Sequence, residues 1–186
     1  MLTTEECLFN DNRNPELTRQ QIEERLALNL GIRRIVWLNQ GLEDDETGGH
    51  VDMIACFAGP GRVLLHMPED RGDVNFVRMQ ENRQRLEAAK DARGQRLEVI
   101  EVPQPRRNLR RADGRRLSTS YVNFYIANGG IVMPSFDDPN DKMAAEIIGA
   151  AFPDREVVQV PALDIAAGGG VIHCITQQQP AGEPLV

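Results

Sequence analysis

Two stretches of this chain carry the same order of structural signals, and that repetition constrains the fold more than any single residue does. The first runs through residues 51 to 58 and 62 to 67, two strand patterns joined across Gly59-Pro60-Gly61, then a helical pattern over about 74 to 92 and a strand from Leu97 to Val102. The second repeats that order, with strands at 120 to 127 and 130 to 133 around Asn128-Gly129-Gly130, a helix near 139 to 151 with Met143, Ile147 and Ile148 on one face, and a strand at 156 to 160. Ahead of both, Thr18 opens a capping-box pattern with Gln21, and Ile22, Leu26 and Leu30 line a helical face up to a stop at Gly31. Ile35-Val36-Trp37-Leu38 follows as a short strand, with Trp37 expected as a core or interface anchor. What recurs is architecture rather than residues, and it predicts an α/β fold of strand-strand-helix-strand units.

A chain of 186 residues can bury a real core and ordinarily forms one domain. With 41% hydrophobic and 26% charged residues, it has the composition of a folded globular protein rather than a disordered one. The net charge of −7 favours a cationic small molecule over nucleic acid. Arg106, Arg107, Arg110, Arg111, Arg115 and Arg116 crowd between Pro105 and Leu117 and could neutralise phosphates. No aromatic residues are interleaved there and Asp113-Gly114 reads as a turn, so a solvated loop is expected. Cys7, Cys56 and Cys174 are odd in number and widely spaced, which suggests reduced thiols and a cytoplasmic setting. No signal-peptide pattern opens the chain and no apolar run is long enough for a bilayer, so no membrane partner is expected.

The chemistry-bearing stretch is Gly168-Gly169-Gly170-Val171-Ile172-His173-Cys174, where three glycines deliver a cysteine onto a backbone with little bulk in front of it. A thiol needs no cofactor to attack carbon, only a setting that holds it as thiolate. The alternative is a Gly-rich turn into a buried strand with an inert core cysteine. Upstream, the acidic loop Glu43-Asp44-Asp45-Glu46-Thr47-Gly48-Gly49 runs into His50-Val51-Asp52 and an apolar strand. Alternation along a strand would place His50 and Asp52 on one face, as an acid-base group beside a carboxylate, or simply as a surface pair. Thiolate, imidazole and carboxylates together suit attack on a cationic sp2 carbon. His173 adjoins the thiol, but in an extended segment it would point to the opposite face, as a packing residue or as a support behind the groups that react. A metal site drawing on His50, Asp52, His173 and Cys174 lacks the usual ligand spacing.

The chain resembles the agmatine deiminases, within the guanidino-group-modifying enzymes that also include the bacterial peptidyl-arginine deiminases. The resemblance rests on Thr3-Thr4-Glu5-Glu6-Cys7-Leu8-Phe9-Asn10, Asn12-Arg13-Asn14-Pro15, Asp45-Glu46-Thr47, Gly49-His50-Val51-Asp52, Ser120-Tyr121-Val122-Asn123-Phe124-Tyr125, Gly168-Gly169-Gly170 and Ile172-His173-Cys174-Ile175-Thr176-Gln177-Gln178-Gln179-Pro180. It implies that Cys174 is the nucleophile of a covalent amidino intermediate, that His50 is the acid and then the base for water, and that Asp52 grips the guanidinium. It further implies that Glu46 meets the distal amine of agmatine, with Gly170 beside the substrate. Gly48, Met53 and Val171 depart from positions where the family often has asparagine.

Family members are five-bladed α/β propellers, of which about two and a half units are legible here. Their N-terminal half carries a Trp-x-Arg-Asp-type motif and a Glu-Gly-Gly motif, and neither occurs in this chain. The resemblance therefore implies that residues 1–186 are the C-terminal part of one deiminase domain. A partial ring leaves apolar unit faces and strand edges exposed, so homo-oligomerisation or marginal stability is expected, with weak turnover or none. The implied reaction converts agmatine and water to N-carbamoylputrescine and ammonia. Peptidyl-arginine deimination is the neighbouring possibility, and a non-catalytic binding or oligomerising module the alternative from another class.

Overall fold

The computed structural model describes residues 1–179 together with 181 and 182; Pro180, the end of the last motif quoted above, lies outside them. The chain opens with β1 (Leu2–Thr4), α1 (Glu5–Leu8), α2 (Arg19–Leu30) and β2 (Val36–Leu38). A first unit follows as β3 (Ala55–Gly59), β4 (Arg62–Met67), α3 (Val74–Ala88) and β5 (Glu98–Pro103), and a second as β6 (Tyr125–Ala127), β7 (Gly130–Ser135), α4 (Asp141–Ala151) and β8 (Glu156–Pro161). The short helix α5 (Leu163–Ala167) leads into the tail.

Both units have the same topology. A tight hairpin pairs the first two strands antiparallel, and the helix then carries the chain over to a third strand parallel to the second. In each unit the middle strand is the most apolar, because it is covered on both sides: Val63, Leu64 and Leu65 in one, Ile131 and Met133 in the other, all fully buried. β1 and β2 pair parallel around α2, which reproduces the parallel half of a unit. The described residues thus form three separate sheets, none closed on itself.

The helices show how consecutive units lean on each other. α3 lies on its own strands β4 and β5 and also on β2 of the preceding sheet; α4 lies on its own β8 and on β5 of the preceding sheet. Met79 and Leu86 on α3, and Ala144 and Ile148 on α4, are the buried residues that fill those junctions. For α2 the capping box is present as the sequence indicates, with the Thr18 hydroxyl accepting from Gln21 N and the Gln21 side chain accepting from Thr18 N. Gly31 ends it at φ 65°, the left-handed region. Only Ile22 of the expected apolar face is buried, and Leu30 is 60% exposed.

Three predicted elements begin or end elsewhere, each for a local reason. The strand expected from residue 51 starts at Ala55, because Val51–Met53 form a 3₁₀ turn. That turn is set by Asp45, whose carboxylate accepts from the backbone N–H groups of Thr47, Gly49 and His50 and so gathers the loop. The strand expected from 120 starts at Tyr125, because Ser120 to Phe124 are all buried, which alternation cannot achieve. The helix expected to reach 92 stops at Ala88, since Asp91 accepts from Arg93 N and Gln95 N and turns the chain through Gly94 at φ 80°.

A buried polar network ties the first unit to the second. His66 on β4 is fully buried between Ser120 Oγ (3.0 Å) and Gln104 Oε1 (3.1 Å). Burial pushes its pKa down to about 4 and holds it neutral. The Gln104 amide donates to Asp73, which caps α3 and takes both terminal nitrogens of Arg116 at 2.8 and 2.7 Å. Arg116 is thereby a buried structural residue rather than part of a solvated loop, which corrects the sequence expectation. The other arginines of the run are also engaged: Arg106 with Glu69, Arg107 with Asp137, Arg111 and Arg115 with Glu46, and Arg110 with the Gly114 carbonyl.

Candidate functional site

Asp52 is the centre of the site. It sits on the Val51–Met53 turn just ahead of β3, and Asn123 occupies the corresponding place just ahead of β6. His173 and Cys174 lie on a second 3₁₀ turn, His173–Ile175. One carboxylate oxygen, Asp52 Oδ2, accepts from His173 Nδ1 at 2.8 Å, from Asn123 Nδ2 at 3.1 Å and from the Cys174 thiol at 3.4 Å. The other, Oδ1, is buried with no hydrogen-bond partner among the described residues. A buried carboxylate oxygen left bare is costly unless something cationic meets it.

Asn123 holds the two turns together. Its amide nitrogen donates to the Asp52 carbonyl (3.2 Å) and reaches Cys174 Sγ (3.4 Å), while its oxygen accepts from His173 N at 3.0 Å. It is completely buried. Sequence reasoning quoted its motif but gave it no role; an amide amid Tyr121, Val122 and Phe124 is the available signal, because a polar side chain in such a run needs a reason.

The local fold overturns two expectations. His50 and Asp52 are not alternate residues of a strand, since the 3₁₀ turn intervenes. His173 does not turn away from the thiol: a 3₁₀ turn spaces successive side chains by about 120° rather than 180°, and His173 and Cys174 both reach Asp52. His50 precedes the Asp52 turn and its Nε2 lies 2.7 Å from Arg13 Nη2. Arginine can only donate, so Nε2 of the imidazole is the acceptor in this contact. Arg13 also donates to the Thr47 carbonyl, which fixes the loop that carries His50. His50 makes no hydrogen bond to Cys174 among the described residues, but it lies close enough to Asp52 that a proton on it favours the carboxylate.

The electrostatics follow from these contacts. Burial works against the Asp52 charge, but the His173 hydrogen bond and charge, with Cys174 and His50, outweigh it and hold the carboxyl below its usual range. The His173 pKa is raised, first by its bond to Asp52, with burial opposing. The Cys174 thiol is pushed up, mainly by burial and further by the negative Asp52, while the Val171 backbone and Asn123 amide pull it down. With Asp52 uncompensated the resting group is thus a thiol, and a cation on Asp52 would favour the thiolate. Cys174 is exposed, whereas Cys7 is buried and burial drives Cys56 up to about 11.

Gly170 has a steric duty. At φ 83°, a Cβ there would stand 2.8 Å from both Cβ and Sγ of Cys174. Gly169, at φ 93°, passes so close to Glu46 that a Cβ would lie 2.6 Å from its Oε2. Glu46, the expected partner of a substrate amine, is paired through Oε1 with Arg111 at 2.7 Å and Arg115 at 3.4 Å. Of the positions that depart from asparagine, Met53 and Val171 are buried in the core and Gly48 adopts φ 73° in the loop. Among the described residues no group of three or more His, Cys, Asp or Glu side chains is arranged to hold a metal ion, and no helix is long and apolar enough to cross a membrane.

Agmatine deiminase of Ectopseudomonas mendocina is 47% identical to this chain over 197 residues, covering 97% of it and 54% of the relative. Among solved structures, an agmatine deiminase of Enterococcus faecalis superposes with a TM-score of 0.91 at 36% identity, covering 96% of this chain and 53% of that one. A cysteine-to-serine variant of C. jejuni agmatine deiminase with substrate bound matches with a TM-score of 0.81 at 30% identity, covering 93% and 50%. The chain spans about half the length of the curated relatives it matches. Residues 1–180 match the family model of Porphyromonas-type peptidyl-arginine deiminases, and this chain belongs to that family.

Proposed function

We propose that the chain carries the thiol half of a guanidine-hydrolysing site of the agmatine deiminase type. The observation that carries this reading is the bare Oδ1 of Asp52 beside an exposed thiol bonded to the same carboxylate. A guanidinium seated on Oδ1 neutralises Asp52, lowers the thiol pKa and brings its carbon to Sγ. The thiol gives up its proton to His50 as Sγ adds to that carbon, and His50 returns that proton to the nitrogen that leaves as ammonia, giving a covalent amidino thioether. Water, deprotonated by His50, then attacks the same carbon; the C–S bond breaks, thiolate leaves, and a ureido product forms. For agmatine, the products are N-carbamoylputrescine and ammonia.

The strand-strand-helix-strand units belong, in this reading, to a five-unit ring shared with the remaining half of the relatives' length. The chain alone is then expected to turn over weakly or not at all, since preorganised groups of such a ring are each worth on the order of 10²-fold. One observation favours peptidyl-arginine over agmatine: Arg111 and Arg115 already offset the charge of Glu46, so a tail without an ammonium group meets less opposition there.

The test is alkylation by 2-chloroacetamidine, a guanidinium-like cation whose CH2 carbon takes the thiolate as chloride leaves. Mass spectrometry should find the adduct on Cys174 and not on Cys7 or Cys56. Labelling spread over all three thiols, or absent from Cys174, would refute the reading. Ammonia release from agmatine at an ordinary enzymatic rate would refute the expectation of weak turnover, and comparison with an acylated arginine decides between the two tails.

A further inference from the structure

Asp52 presents its two oxygens unequally, and the inequality is built by neighbours rather than by the turn it sits on. Oδ2 is saturated: His173 Nδ1, Asn123 Nδ2 and the Cys174 thiol all converge on it. Oδ1 has none. With three donors on Oδ2 the carboxylate cannot turn about its Cβ–Cγ bond, so Oδ1 keeps a fixed direction. We propose that His173 is the positioning residue of the site: its Nδ1–H pins Oδ2 and leaves Oδ1 as the oxygen offered to the substrate cation. The proposal rests on the reading of Asp52 as the cation-binding group.

His173 is the only one of the three anchors whose charge can change without altering the reacting atom. Protonated, it both orients Asp52 and cancels part of its charge; neutral, with the hydrogen kept on Nδ1, it orients Asp52 and leaves the full negative charge for the substrate. Its bond to Asp52 raises its pKa, so cation selection should climb as pH rises through that raised value. The titratable groups that face this pair are Cys174, on the same turn, and His50, ahead of the Asp52 turn, with the permanently charged Arg13 behind His50. The His173 side chain is 43% exposed, so it can be changed with limited disturbance of the fold.

The experiment compares Cys174 alkylation by 2-chloroacetamidine and by its neutral isostere 2-chloroacetamide, using the whole chain. Both reagents consume the same thiolate and lose the same chloride, so their rate ratio reports the grip on a cation together with the thiol ionisation that the seated cation itself promotes. For the unaltered chain the ratio should be well above one and should rise with pH. His173→Ala should lower it by about tenfold, the scale of a hydrogen bond to a charged group. His173→Asn, whose amide can donate from nearly the Nδ1 position, should restore the ratio and flatten its pH dependence. An unchanged ratio in His173→Ala, or the original pH rise in His173→Asn, would overturn the positioning role alone. A ratio near one in the unaltered chain would overturn the guanidine-site reading together with this inference.

Discussion

At the scale of single residues, the site depends on how little room surrounds the sulfur. Gly170→Ala combines a left-handed backbone, costing about 1–2 kcal/mol, with a Cβ 2.8 Å from the thiol. Displacing the sulfur should slow chloroacetamidine labelling by about tenfold to a hundredfold. Gly114→Ala is the control, because φ there is 86° and nothing lies within 4 Å of the added carbon; it should cost stability and leave labelling alone. Asn123→Ala removes a donor that favours the thiolate, so the pH midpoint of chloroacetamide labelling should move upward. It also strips His173 N and the Asp52 carbonyl of buried partners, and a fall in Tm should accompany the shift. A midpoint that stays put or falls would show that the amide does not sustain the thiolate.

Elements were legible where periodicity or capping decided them and illegible where side chains reorganised the backbone. The two hairpin-helix-strand units, and the Thr18–Gly31 helix, follow from apolar spacing and caps that act within a few residues. The turns carrying Asp52 and Cys174 do not, because what bends them is Asp45 gathering amides and Asn123 bridging residues 52 and 173. His173 was misdirected for that reason alone: assume a strand and it points away, allow a 3₁₀ turn and it reaches the carboxylate. Residue identities at the site were readable; the contacts that orient them were not, since those among Asp52, Asn123, His173 and Cys174 span from 50 to 122 residues of sequence.

The arginine run is the other element whose role only packing reveals. Its last member, Arg116, pairs with Asp73 at the start of α3 inside the network that also holds His66. Arg116→Ala leaves Asp73 without its partner and should cost about 3–5 kcal/mol, measured by urea unfolding. Acid should unmake this network in two stages. His66 titrates at about 4 when folded against an ordinary 6.5, and Asp73 at about 2 against 3.8. In both cases the unfolded chain binds the proton first, so stability is intact above the ordinary value and falls as pH drops through each window. Arg116→Ala should abolish most of the lower stage and spare the upper one; a chain whose stability is flat from pH 6.5 to 4 would contradict the neutral buried state assigned to His66.

For the whole molecule, the question is what covers the outer faces. Phe57 on β3, Val158 on β8 and Leu28 and Leu30 on α2 are large apolar side chains with substantial exposure. We expect them to drive self-association, visible in sedimentation as concentration-dependent species; a sharp monomer boundary with cooperative melting would refute this. Closure into a five-unit ring remains a proposal drawn from kinship, whereas the rule by which each helix straddles its own sheet and the one before is visible in both units.

That straddling has a mechanical corollary. Asp52 and Asn123 stand at equivalent points ahead of successive units, so the gap between carboxylate and amide is metered by how far one unit tilts against its neighbour, not by the chain that links them. Anything wedged into the seam between α4 and β5, however remote from the sulfur, would therefore register first as a change in thiol reactivity, making Cys174 a gauge of the angle between the modules.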